Sequence, residues 1–153
     1  MSFEDAFQVI HSFFTTKPAA KDALRHLKRG HEIRLLLDGR LECALFFEAG
    51  QVALEQRPCP KADVEFSIGP ESIRLLSDHP GDSVAQLGVD IVKEIIAGNV
   101  KLRVCGSIMR ILTGGYLAII TSGGPEFMGY LASHGLTSVT KITSLIRSLK
   151  NRN

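Results

Sequence analysis

The chain has 153 residues, 44% apolar and 22% charged, a balance that fits one globular domain and excludes a disordered segment. Its 18 Lys and Arg against 16 Asp and Glu leave a formal charge of +2, too small a field to argue for nucleic acid. The 3 cysteines, Cys43, Cys59 and Cys105, follow no metal-ligand or CxxC spacing, which argues against a disulfide framework or a zinc site and for a reducing cytoplasm.

The chain opens MSFEDAFQ, acidic and without the charged-then-apolar pattern of an export signal. Ser2 is placed to cap a helix whose Phe3, Phe7, Ile10 and Phe14 share one face. Pro18 punctuates, and a second helical stretch from Ala19 to Lys28 turns Ala20, Ala23, Leu24 and Leu27 to one side before Gly30 stops it. Both helices read as covers for a sheet.

From His31 the period changes to two. Ile33, Leu35 and Leu37 alternate up to Asp38-Gly39, a strong hairpin signal. The return strand runs Leu41 to Phe47, and Ala49-Gly50 turns into Val52 and Leu54, giving a three-stranded antiparallel meander. After the proline-flanked loop RPCPKA, Val64, Phe66 and Ile68 mark a fourth strand, and Gly69-Pro70 opens a helix through Leu76.

Asp82 is placed to cap the next helix, which carries Val84, Leu87, Ile91, Ile95 and Ile96 to Gly98. Val100, Leu102 and Val104 then alternate against Lys101, Arg103 and Cys105 as a fifth strand whose polar face is wet. Ser107 caps an apolar helix from Ile108 to Thr121. At its middle, Gly114-Gly115 reads either as a break with tight packing or as a point where a ligand comes close. The apolar run from Ile111 to Ile120 falls well short of the ~20 residues a membrane span needs.

Two more helices follow, one over GGPEFMGYLASHG and one over Thr137 to Lys150 with Val139, Ile142, Leu145, Ile146 and Leu149 on one stripe. No acidic residue follows Glu126, while Lys141, Arg147, Lys150 and Arg152 do, so positive charge collects at this end and suits contact with an anionic membrane. The competing reading has the last helix pack on its own domain.

Catalytic signals are missing from the pattern. The 5 histidines, His11, His26, His31, His79 and His134, are scattered without a partnering motif and read as surface or capping residues. Gly124 to Gly129 has the glycine spacing of a phosphate loop, but Tyr130 stands where the Lys belongs. Cys59 has no base beside it in sequence. The expectation is a chain that is not an enzyme and needs no metal or cofactor.

The order of elements, the Asp-Gly hairpin, ADVEFSIGPESIRLL and GNVKLRVCGSIMRIL together resemble the sterol carrier protein 2 family over roughly residues 20 to 122. The resemblance implies an α+β fold: a five-stranded, mostly antiparallel sheet covered by helices, with a hydrophobic tunnel between them for sterols, fatty acyl chains or similar lipids. Carried over by position, Phe66, Ile91, Ile95, Leu102, Val104, Ile108, Ile111, Leu112 and Ile119 would line that tunnel, with Tyr116 beside them.

On this reading residues 1–153 form one lipid-binding domain, core 20–122, with a C-terminal helical extension over 123–153. This chain departs from the family in having no Trp in its second strand, a short turn at Glu48-Ala49-Gly50, and the extension itself. The expected function is non-enzymatic binding, and transfer, of a hydrophobic ligand. The alternative is an accessory or dimerisation module for a lipid-modifying enzyme, with a protein partner or a second copy as its target.

Overall fold

The computed structural model describes residues 2–151. The side chains of Phe3 and Val139, expected on apolar helix faces, and the whole of Arg152, expected in the basic terminal run, lie outside the described residues. In chain order the elements are α1 (Phe3–Thr16), α2 (Pro18–Leu24), β1 (Ile33–Leu37), β2 (Leu41–Glu48), β3 (Gln51–Glu55), β4 (Val64–Ile68), α3 (Pro70–Asp78) and α4 (Val84–Ala97). They continue with β5 (Val100–Val104), α5 (Ile108–Thr113), α6 (Tyr116–Thr121), α7 (Gly124–Ser133) and α8 (Val139–Asn151).

The strands form one sheet in the order β3-β2-β1-β4-β5. The meander β1–β2–β3 and the pair β4–β5 are antiparallel, and β1 runs parallel to β4 between them. This is the mostly antiparallel five-stranded α+β arrangement that the resemblance implies. Asp38 and Gly39 both take positive φ, 53° and 69°, the conformation a tight hairpin needs to match the twist of its strands.

Because strand side chains alternate, register settles which residues share a face. Leu35, Phe66 and Leu102 lie in one row across β1, β4 and β5, with Ile33, Val64 and Val104 on one side of it and Leu37, Ile68 and Val100 on the other. The opposite face is polar. There Arg34 donates to Glu65 at 2.7 Å, Arg103 lies 3.9 Å from Glu65, and the 56–63 loop folds over Ala44, burying Cys59 and Ala62.

Several boundaries differ from the sequence reading, each for a local reason. Ser2 caps α1 as expected, but Ser83, not Asp82, caps α4, its hydroxyl accepting from the Gln86 amide. The second helix is short: it closes at Leu24 in a turn, with Pro18 in its first turn where a missing N–H has no consequence. Leu27 is still buried.

The expected helix from Ile108 to Thr121 is two helices. Gly115, at φ 94°, sits where a Cβ would fall 1.9 Å from the His26 carbonyl oxygen, and the Gly114 carbonyl accepts from the Lys28 amide. The glycine pair is therefore a break that lets the chain's own backbone dock against the end of α2.

Candidate functional site

The inner face of the sheet carries one continuous apolar core whose two ends are packed differently. Over β1–β3, the helices α1, α2 and α3 drive Ile10, Phe13, Ala20, Leu24 and Ile73 against Leu35, Leu37, Cys43 and Leu45, and all of these are buried. Ile10 is 0% exposed. At the other end the same core continues through Phe66 of β4 and Leu102 of β5, Ile91 and Ile95 of α4, Ile119 of α6, and Ile146 and Leu149 of α8. Every one of these is only partly buried.

The fold explains that difference. β5, like β3 at the other end, is an edge strand, and it is touched by α4 and by α8. α7 pairs with α4 around a second apolar cluster built on Ala85, Phe127, Leu131 and Ile142. α4 is thus shared between two cores and closes neither completely.

Of the side chains expected to line a tunnel, Phe66, Ile91, Ile95, Leu102 and Ile119 meet in this half-open end, and Val104, Ile111 and Tyr116 lie buried beside it. Ile108 and Leu112 are half-buried on α5 and join neither cluster. Ile146 and Leu149 were recognisable in sequence as part of an amphipathic stripe. That the stripe lies on the β5 end of the sheet was not.

A polar latch closes the Asp63 end of the site. Asp63 is 0% exposed and enters β4 from the loop. Its Oδ1 accepts from Arg110 Nε at 2.8 Å, and its Oδ2 accepts from the Tyr116 hydroxyl at 2.9 Å and lies 2.8 Å from His31 Nδ1. Its carbonyl accepts from the Cys105 and Gly106 amides.

A buried carboxylate is tolerable only when paired and hydrogen-bonded in this way. The latch ties the starts of β1 and β4 to α5 and α6, and so fixes Ile119, one turn beyond Tyr116, over the sheet. Burial, and then the neighbouring Asp63, push the Tyr116 phenol well above its usual range. Its hydroxyl is committed to Asp63.

Sequence reasoning missed this latch because His31, Asp63, Arg110 and Tyr116 come from four separate segments. The one available signal was an aspartate leading directly into an apolar strand. Of the histidines expected in surface or capping roles, His31 belongs instead to the latch, and His79 is the C-cap of α3 but buried, with Nε2 2.7 Å from Asp90 and Nδ1 accepting from the Gly81 amide.

A cleft of about 510 Å³ lies outside the latch, lined by Gly30, Lys61, Asp63, Gly106 and Arg110 among others. Arg110 is engaged within it: its Nη2 donates to the Gly30 carbonyl, as its Nε does to Asp63. Cys59 is buried, and desolvation followed by Glu32 push its thiol up to about 11, far from the thiolate a nucleophile requires. Among the described residues no helix is long and apolar enough to cross a membrane.

No family model and no curated protein matches the chain. Among solved structures, one described as "UbiJ-SCP2 Ubiquinone synthesis protein" aligns at 19% identity and a TM-score of 0.42, covering 73% of this chain and 86% of that one. The stereoselective inverting sec-alkylsulfatase Pisa1 from Pseudomonas sp. aligns at 20% identity and a TM-score of 0.37, covering 63% of this chain and 13% of that one.

Proposed function

We propose that this protein binds an apolar ligand, a fatty acyl chain, a sterol or another lipid, without converting it, between β4–β5 and the helices α4, α6 and α8. The observation that carries the reading is the half-open end of the core. Phe66, Leu102, Ile91, Ile95 and Ile119 form an apolar group continuous with a fully packed interior, yet stay partly accessible. Such a surface gains by being covered, roughly 0.8 kcal/mol for each methylene removed from water.

An acyl chain burying about ten methylenes would gain about 8 kcal/mol, the scale of a micromolar complex. Little polar recognition is needed, because the latch beside the site is satisfied internally. The unpaired cysteines, Cys43, Cys59 and Cys105, are consistent with a reducing compartment. The accessory or dimerisation reading would rest on Ile96 and Met109, 64% and 66% exposed, and lone apolar side chains on a surface are ordinary.

Purified protein is expected to carry lipid into an organic extract, detectable by mass spectrometry, and to bind a fluorescent fatty acid that the extract displaces. A clean preparation that yields no lipid and leaves the probe's fluorescence unchanged would sink the reading.

A further inference from the structure

α8 covers the half-open end of the core, and its hold there is thin. Over that end only Ile146 and Leu149 pack, both half-buried, while Ile142, 4% exposed, sits in the neighbouring cluster with Ala85, Phe127 and Leu131, and Leu145 is exposed. Among the described residues α8 makes no ion pair, and the side-chain hydrogen bond that joins it to another element is Lys150 Nζ to the Cys105 carbonyl at 3.0 Å.

The sequence of the helix, VTKITSLIRSLKN, is dense in β-branched and Ser residues, which are weak helix formers. A segment this short and this poor in propensity is helical because an apolar surface organises its stripe. Released from the core, it would need another such surface. It carries Lys141, Arg147 and Lys150 and no acid, and Lys141 and Arg147 face solvent. An anionic bilayer offers both an apolar layer for the stripe and charge for the lysines and arginine.

We propose that α8 is a releasable strap: its apolar stripe leaves the β5 side of the core for the surface of an anionic bilayer, and the opening it vacates is where a lipid enters and leaves. This rests on the lipid-binding reading and gives that site its route of exchange. The turn at 134–138, with Gly135 at φ 88°, is the hinge; release takes Ile142 out of the cluster it shares with Ala85, Phe127 and Leu131, and α7 keeps its own contact with α4 through Phe127 and Leu131.

The test ties the strap down. Lys150→Cys is joined to the native Cys105 by a bismaleimide with a cleavable disulfide in its spacer; Cys105 is partly accessible, whereas Cys43 and Cys59 are buried. Uptake of an anthroyloxy fatty acid from vesicles of phosphatidylcholine and phosphatidylglycerol is measured before and after cleavage, together with flotation of the protein on the same vesicles at low and high salt. Lys150→Cys with Cys105→Ala, treated identically, controls for the reagent.

Tethering is expected to slow uptake by about tenfold or more and to abolish salt-sensitive flotation, with both restored on cleavage. Uptake and flotation that ignore the tether overturn the strap. A protein that never takes up the probe, tethered or cleaved, sinks the binding reading. Flotation then decides the strap alone: gained on cleavage it stands, and unchanged or absent in both forms it falls.

Discussion

The two ends of the core are built from the same materials. Under α1–α3 and under α4, α6 and α8 alike, the sheet presents alternating aliphatic residues and the helices present a stripe of Ile, Leu or Phe. At one end the central row is fully buried and only marginal residues such as Phe7, Phe14 and Phe47 are partly accessible; at the other the central Phe66 and Leu102 are themselves partly accessible. What separates the two ends is how completely the elements close, and not which residues they carry. Both ends terminate on an edge strand, β3 and β5, so the covers make the difference: α1, α2 and α3 pack together over β1–β3, whereas α4 is shared between two clusters at the β5 end.

The largest expected effect breaks the closed end. Ile10 is 0% exposed at the centre of α1, and its truncation removes three methylene equivalents from a site that cannot collapse. Ile10→Ala should lower stability by about 2–5 kcal/mol, read as a lower urea midpoint with an unchanged slope. The variant, while folded, should bind the fatty-acid probe as the parent does. A loss of affinity with intact folding would mean that the two ends act as one site.

The latch sits between the ends and gives the next effect. Tyr116→Phe removes a hydrogen bond to an ionised, buried carboxylate, worth about 1.5–3 kcal/mol. It also changes the alkaline limb. The phenol is raised from its ordinary 10.0, so the folded state keeps a proton that the unfolded chain releases. Stability present below pH 10 is then lost as pH rises above it, by about 1.4 kcal/mol per pH unit.

The buried thiols Cys43 and Cys59, each raised from 9.0 to about 11, add a loss of the same sign from pH 9 in both proteins. The difference between the Tyr116→Phe variant and the parent isolates the tyrosine. Parallel alkaline curves would show that the hydroxyl is not held as described.

Period-two and period-3.6 patterns made the strands and most helices legible, because those signals are local: the alternating residues of ADVEFSIG and NVKLRVCG fall in β4 and β5, apart from Cys105, which lies just past β5. The broken helix at Gly114-Gly115 was half legible, since the glycines showed that something comes close but not that it is the His26 backbone. The latch was not legible. His31 and Asp63 are joined by the parallel pairing of β1 with β4, and no local pattern reports a partner 32 residues away.

The candidate site stood between these cases. Its sheet residues follow from alternation, but whether a half-apolar row is open or closed depends on where α8 docks, and a stripe of Ile142, Ile146 and Leu149 fits many surfaces.

Leu102 gives the smallest effect on stability and the sharpest on the comparison. It lies in the same row as Leu35, with Phe66 between them, so geometry alone would treat the two leucines as equivalent core positions. They differ in closure: Leu35 is buried, whereas Leu102 is partly accessible on the edge strand. Truncating a side chain that is already partly in water removes less than the full transfer gain of a buried leucine, so Leu102→Ala should cost about 1–2 kcal/mol. The same change removes contact area from a bound acyl chain and should weaken the fatty-acid probe by about tenfold. Stability and binding thus move in opposite proportion to Ile10→Ala. If Leu102→Ala instead destabilises as strongly as Ile10→Ala and leaves probe binding untouched, Leu102 is ordinary core, and the accessible end is a loosely covered interior with no ligand of its own.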